Sequence, residues 1–330
     1  MDRRTQRPLR RTLLTALTLL LAVPAAAFNG RVPVLRAPEG VYRGAAETAA
    51  RRGWDFAPEG KHGFRLSGGG ATLVFEEGCR VARLDRMVIY LNFPPLRDDA
   101  GRWYLHIEDI ERTAAALLTD APPRPRPRRI LLDPGHGGEE PGASGSRLVE
   151  KDQNLVVAAR VAERLRKRGF EVTLTRTDDR TVPLHDRPRE IGRRNADLFV
   201  SIHQNAAATH SVNGIETFVA APAHCAVSPG AAALTDDRPT PGNRFDRESL
   251  RLAAAVQGRL IAATGAVDRG VKRRRFVVVR EADCPAILVE CGFISNPAEQ
   301  DKMLDPAWRG KIAAAIADGI GDYARQDEEK

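Results

Sequence analysis

The chain has 330 residues, 42% of them hydrophobic and 28% charged, with a formal net charge of +8. That is enough apolar material for a packed core and, at roughly 150 residues per domain, enough length for two domains. Four cysteines exclude a disulfide-stapled miniprotein, and one short apolar stretch near the N-terminus excludes a multispan membrane protein.

Residues 1–27 read as an export signal. Arg3, Arg4, Arg7, Arg10 and Arg11 form a basic start, Leu13 to Val23 an apolar run too short to span a bilayer, and Pro24-Ala25-Ala26-Ala27 a small-residue cleavage region. Arg10-Arg11 is similar to a twin-arginine signal, and Sec and Tat export both stay open. The signal carries five Arg and one Asp, so the mature chain keeps 46 basic and 42 acidic residues, a net of +4. Half of the basicity therefore belongs to the signal, and no nucleic-acid partner is expected. Export points to the periplasm, with secretion or cell-wall association as the alternative. No stable membrane span is expected after cleavage.

Residues 28–61 are rich in Gly, Pro and Arg and carry no assignable pattern. Residues 62–120 read as a small α+β module. Ala71–Phe75, Arg80–Arg83 and Met87–Leu91 are β-rich runs, Tyr104-Leu105 a short strand, and Ile107 to Leu118 a helix with Ile107, Ile110, Ala114, Leu117 and Leu118 on one face. This run resembles the small module at the N-terminus of copper amine oxidases and of many exported bacterial enzymes. Residues 121–129, Ala-Pro-Pro-Arg-Pro-Arg-Pro-Arg-Arg, read as an extended linker.

From 130 onward strands and helices alternate. Strands are expected at Ile130–Leu132, Phe170–Thr175, Leu198–Ile202, Gly214–Ala220, Phe276–Val279 and Ala286–Val289. Helices are expected at Asn154–Arg168, Arg189–Asn195, Leu250–Ala263 and Ala307–Tyr323. The alternation predicts an α/β domain with a mostly parallel six-stranded sheet flanked by helices, preceded by the small α+β domain.

In open α/β sheets ligands bind beyond the carboxyl ends of the strands. There the sequence places Asp133-Pro-Gly-His136-Gly-Gly138, His203-Gln-Asn205 and Glu290, with Glu150 just before the first long helix. Two imidazoles and two carboxylates thus gather at one rim. Two His and one carboxylate make a zinc site with one open position, and a further carboxylate can handle protons. Each residue alone has a structural explanation; Glu150, for example, suits a helix N-terminus.

The segments Leu131-Leu-Asp-Pro-Gly-His-Gly-Gly138, Glu150-Lys-Asp-Gln-Asn-Leu155, Thr175-Arg-Thr-Asp-Asp179, Asn195-Ala-Asp-Leu-Phe-Val-Ser-Ile-His203 and Val289-Glu-Cys-Gly-Phe-Ile-Ser-Asn-Pro297 together resemble the zinc-dependent N-acetylmuramoyl-L-alanine amidases of bacterial cell walls. The resemblance covers about residues 129–325, with the catalytic domain at 130–325. It implies Zn2+ on His136, Glu150 and His203, with Glu290 as the catalytic acid/base. It also implies peptidoglycan as substrate, cleaved between the lactyl group of N-acetylmuramic acid and the L-alanine of the stem peptide. Asn205 and Arg280 are weaker candidates for substrate contacts. A non-catalytic peptidoglycan-binding or regulatory protein on the same fold, or a zinc peptidase of the stem peptide, are the other readings; H-E-x-x-H does not occur.

Roughly thirty residues rich in Pro, Gly, Ala and Asp, at about 221–248, form an insertion relative to many family members. It reads either as a lid or autoinhibitory plug, on which a protein activator would act, or as a solvated loop. Cys291, one residue past Glu290, is expected to face away from the cleft. Cys225 and Cys284 are candidates for a disulfide. Lys272-Arg273-Arg274-Arg275 is expected to be a solvated face, or a surface for anionic envelope polymers.

Overall fold

The computed structural model describes residues 30–119, 126–227 and 238–325. The expected export signal at 1–27, most of the Pro/Arg linker and the middle of the 221–248 insertion lie outside the described residues. Among the described residues no helix is long and apolar enough to cross a membrane.

The stretch at 28–61 that the sequence leaves unassigned supplies β1 (Val34–Ala37), β2 (Gly40–Gly44), α1 (Ala45–Arg52) and β3 (Asp55–Glu59). There follow β4 (Gly63–Gly68), β5 (Ala71–Glu76), β6 (Val81–Leu84), β7 (Met87–Tyr90), β8 (Leu96–Arg97) and β9 (Trp103–His106). A helix then runs through α2 (Ile107–Asp109), a π-helical turn (Ile110–Ala114) and α3 (Ala115–Leu118). Its Ile110, Ala114 and Leu118 pack on Trp54, Phe64, Phe75, Trp103 and Leu105, the core of this N-terminal unit. The hairpin β3–β4 pairs Asp55–Glu59 with Gly63–Ser67, so residues before 62 are part of the same unit.

The second half contains β10 (Arg129–Pro134), α4 (Glu150–Arg166), β11 (Glu171–Leu174), α5 (Asp186–Arg194), β12 (Leu198–Asn205) and β13 (Ile215–Ala220). A 3-10 turn (Pro241–Phe245) leads into α6 (Asp246–Thr264), followed by β14 (Asp268–Arg274), α7 (Val277–Arg280), β15 (Ala286–Phe293), α8 (Pro297–Leu304) and α9 (Pro306–Arg325). Six strands lie in the order β11-β10-β12-β15-β13-β14, with only the β13–β15 pair antiparallel. Successive residues of a strand face opposite sides of a sheet. On β10, Ile130 and Leu132 accordingly join the core under α4, α6 and α9, while Leu131 joins the core under α5 and α7.

Two expectations are corrected here. Phe276–Val279 does not form a strand: Val277–Arg280 is helical. Its valines favour strands, but β15 already has β12 on one side and β13 on the other, so no free edge is available beside it. Val278 and Val279 instead bury against Phe218 and Leu288. The sixth strand is β14, built from the basic run expected to be a solvated face. None of Lys272, Arg273, Arg274 and Arg275 is fully exposed, and Arg273 is buried, donating to the Thr113 hydroxyl at 3.1 Å. The run can be buried because its cations meet partners distant in sequence.

β14 also carries the sheet across the linker. It pairs with β7 at Val271 opposite Ile89, and the Val88 N–H donates to Asp268 Oδ2 at 2.7 Å. One sheet of eleven strands therefore runs through both halves, while β1, β2, β9 and β8 form a second sheet.

Candidate metal centre

The site forms where β10, β12 and β15 end beside the start of α4. After β10 the chain turns through Gly135 into His136, which adopts the left-handed region at φ 61°. A side chain at Gly135 would place its Cβ 2.1 Å from His203 Cε1. At Gly142, Cβ would lie 2.5 Å from Glu150 Oε2 and 2.6 Å from His136 Cδ2. These two glycines are what lets the backbone close around the three side chains.

Glu150 is the first residue of α4 and is buried. Its Oε1 lies 2.8 Å from His203 Nδ1, and its Oε2 lies 3.4 Å from His136 Nε2. The Ala143 N–H donates to Oε2 at 2.8 Å, and the Gln204 N–H and the Asn154 side-chain amide donate to Oε1 at 3.2 and 3.3 Å. Burial opposes ionisation of Glu150, but the hydrogen bonds from His136 and then His203 outweigh it and hold the carboxyl well below its ordinary range. One ligating atom from each of His136, Glu150 and His203 lies within 4.8 Å of the others. Two imidazole nitrogens and one carboxylate oxygen, fixed by backbone and amide donors, are a donor set that suits a zinc ion and leaves a position open.

Glu290 is opposite His203 in the parallel β12–β15 register and opposite Glu216 in the antiparallel β13–β15 register. Register partners project to the same face, so Glu290 stands beside the cluster. Its Oε2 is buried and has no hydrogen-bond partner among the described residues. Burial, followed by the negative charges of Glu150 and Glu216, pushes its carboxyl well above the ordinary range. Cys291 falls on the opposite face, in the apolar core. All four cysteines are free thiols, so the candidate Cys225–Cys284 disulfide is absent.

His136, Glu150, His203, Asn205 and Glu290 line one cavity of about 590 Å³. Arg187, Arg275 and an apolar wall of Leu184, Phe276 and Val278 complete it. A larger hollow of about 770 Å³ lies at the other end of the strands, around Arg129 and Asp197, away from the cluster. Arg280 does not line this cavity. It ends α7, where a strand was expected, and pairs with Glu281 at 3.2 Å; Arg275 stands on the wall instead. No described part of the insertion, 221–227 or 238–248, lines the cavity either. Its first arm is held elsewhere, where Arg80 of the N-terminal unit donates to the carbonyls of Ala226 and Val227 at 3.0 and 2.9 Å.

Sequence reasoning missed the groups beneath the cluster. Asp133 is fully buried and accepts from the Thr175 hydroxyl (2.7 Å), the Ser201 hydroxyl (2.8 Å) and Arg187 Nη1 (2.8 Å). Arg187 Nη2 also donates to the His136 carbonyl at 2.9 Å. Arg176 donates to the carbonyls of Pro134 (3.0 Å), Gly135 (3.0 Å) and Lys151 (2.7 Å). Two buried guanidiniums thus clamp the turn that carries His136. Asp133 and Arg176 stand inside recognisable motifs, but nothing around Arg187 distinguishes it from the surface arginines near it.

Residues 130–322 match the family described as N-acetylmuramoyl-L-alanine amidase, more than half of the chain, and the chain belongs to that family. It is 34% identical over 199 residues to the uncharacterized protein YqiI of Bacillus subtilis, covering 60% of this chain and 86% of YqiI. It is 36% identical over 196 residues to the N-acetylmuramoyl-L-alanine amidase LytC of the same organism, covering 59% of this chain but 35% of LytC. Among solved structures, the CwlD amidase of Clostridioides difficile in complex with the GerS lipoprotein superposes with a TM-score of 0.50 at 30% identity, covering 59% of this chain and 98% of that chain.

Proposed function

We propose that this chain is an exported, zinc-dependent amidase. It hydrolyses the amide between the lactyl group of N-acetylmuramic acid and the L-alanine of the stem peptide, in the periplasm. The observation that carries this reading is the juxtaposition, in one cavity, of a His136–Glu150–His203 donor set with a separate buried carboxylate, Glu290. Zinc on those three residues would supply Lewis acidity to the scissile carbonyl and lower the pKa of water toward about 7.

The chain's own residues do the rest. Glu290 takes a proton from the attacking water as the new carbon–oxygen bond forms. It then delivers that proton to the alanine nitrogen as the carbon–nitrogen bond breaks, so water is divided between a free lactyl carboxylate and a free amine. Burial and the neighbouring carboxylates raise its pKa, a direction that favours holding the proton between the two steps. Asn205 contacts the substrate at the cavity wall. A protein activator acting on the insertion at 221–248 is the regulatory part of the proposal; the complex of CwlD with a lipoprotein supports a protein partner.

The test is digestion of purified peptidoglycan by the full chain, with and without zinc and with a chelator, read by mass spectrometry. Intact stem peptides bearing a new L-alanine amine are the expected products, and the chelator abolishes them. Glu290→Gln keeps its zinc and loses hydrolysis by about 10²- to 10⁴-fold. Undiminished turnover in that variant overturns the role of Glu290, and cleavage within the stem peptide makes the protein a peptidase.

A further inference from the structure

A second carboxylate beside Glu290 has a geometry that a simple ion pair does not require. Glu216, on β13, is 4% exposed and faces Glu290 in register. Its Oε2 accepts from Arg269 Nε at 2.9 Å and from the Lys272 ammonium, both on β14. Those two cations already neutralise it. Yet its Oε1 also accepts from Asn205 Nδ2 at 2.7 Å, and Asn205 ends β12. β12 and β13 are not neighbours; β15 lies between them. This bond therefore reaches over the strand that carries Glu290 and ends on a residue of the cavity wall.

The bond also fixes which way the Asn205 amide points. A carboxylate only accepts hydrogen bonds, so the atom facing Glu216 must be the nitrogen. The Asn205 oxygen in turn accepts from the Ala206 N–H at 2.7 Å. With both ends tied, the amide cannot flip. One N–H of Nδ2 goes to Glu216, and the second has no acceptor among the described residues. It is a preorganised donor on the wall of the cavity that holds the His136–Glu150–His203 group and Glu290.

We propose that Glu216 is a positioning residue that holds the Asn205 amide as a fixed hydrogen-bond donor to a substrate carbonyl next to the scissile amide. This rests on the amidase reading above. The arrangement is braced from the N-terminal unit, because the Lys272 ammonium that pairs with Glu216 also lies 5.4 Å from the centre of the Tyr90 ring on β7. A donor that binds the substrate equally in ground and transition states acts on KM and leaves kcat nearly alone. A structural defect does the reverse, since it lowers the active fraction and leaves KM unchanged.

The experiment uses the intact, zinc-loaded chain and a soluble muropeptide, with Asn205→Ala, Glu216→Gln and the double variant. Each single variant raises KM by about 10-fold or more, keeps kcat within about threefold, and keeps zinc affinity by chelator competition within about twofold. The double variant is no worse than the poorer single one, because Glu216 acts through Asn205. Multiplicative losses in the double variant, or a wild-type KM in Asn205→Ala, overturn the proposal while leaving the amidase reading standing. A zinc-loaded wild type that releases no product overturns both. Glu216→Gln strips two partly buried cations of their counter-charge, so Asn205→Asp serves if that variant does not fold: it keeps the shape and removes the donor. The same rise in KM is expected there, and a wild-type KM overturns the proposal.

Discussion

Asp133→Asn tests the support beneath the candidate metal centre. The wild-type carboxylate is fully buried, and Arg187, whose side chain is 3% exposed, donates to it at 2.8 Å. Removing one partner of a buried ion pair costs about 3–5 kcal/mol, because the surviving charge stays buried without compensation. The asparagine oxygen can still accept from Thr175 or Ser201, and Arg187 keeps the carbonyls of Pro134 and His136, which places the loss near about 3 kcal/mol. At about 2–4 °C per kcal/mol for a domain of this size, the melting temperature should fall by roughly 6–12 °C. Circular dichroism melts and urea titrations of wild type and variant read this directly. The same substitution loosens the turn that carries His136, so zinc affinity should fall by about 10-fold or more, the usual cost of losing an outer-shell partner. A variant within about 0.5 kcal/mol of wild type and with unchanged zinc affinity would refute the reasoning, since the Asp133–Arg187 pair would then carry neither stability nor the site.

Three further outcomes follow from other parts of the structure. Burial raises the thiols of Cys225 (to about 12), Cys284 and Cys291 above their ordinary range, so in the native protein only Cys79 should react readily with a thiol reagent, and all four should react after denaturation. Burial disfavours ionised Asp197, but donors from the Arg129 side chain and from the backbone N–H groups of Arg129 and Arg128 outweigh it, so its folded pKa lies below the unfolded one. Its contribution is therefore present above the unfolded carboxylate pKa of about 4 and lost as pH falls below it through the folded pKa; the stabilities of wild type and Asp197→Asn should converge only as pH falls below about 4 in urea titrations. Deleting residues 1–119 uncovers the β14 edge and leaves Arg273 without the Thr113 hydroxyl, so the remaining chain should aggregate or melt well below the full protein in light scattering and calorimetry. An equal melting temperature and a clean monomer would contradict that.

His136, His203 and Glu290 of the candidate site were legible because each follows an apolar run, and Glu150 because it opens the first long helix. Ile130–Leu132 and Leu198–Ile202 are strands buried on both faces, and the first polar residues past them have to stand at the rim. Glu290 follows Ile287–Val289 in the same way. What stayed hidden depends on partners far along the chain. Lys272 and Arg269 can sit in a sheet only because Glu216 meets them, and Arg273 because Thr113 and the Arg112 carbonyl do. Local composition reports the charge but not its neutralisation. Arg187 has the same problem, since its carboxylate partner lies 54 positions upstream. β1 to β3 were hidden for another reason: short strands broken by Gly and Pro carry too few alternating positions to show a period of two. α8 begins at an Asn-Pro step, where Asn296 accepts from the Glu299 N–H at 3.2 Å, a start signal absorbed into the motif around Glu290.

The Pro/Arg linker suggested two separable domains, and the sheet argues otherwise. The family match begins at residue 130, so within it β14 is an edge strand, and its outer hydrogen-bonding side has to be covered or blunted. Its charged residues do not blunt that edge, because Arg269 and Lys272 are committed to Glu216 and Arg273 is buried. β7 covers it instead, and the cover is fastened by the Val88–Asp268 bond and by the contact of Arg112 with Asp246 at the start of α6. The N-terminal unit is thus a continuation of the catalytic sheet rather than a tethered appendage. Because β14 is also the strand that balances Glu216, and Glu216 holds the Asn205 amide at the cavity, the edge that needs covering is the edge that supports the site.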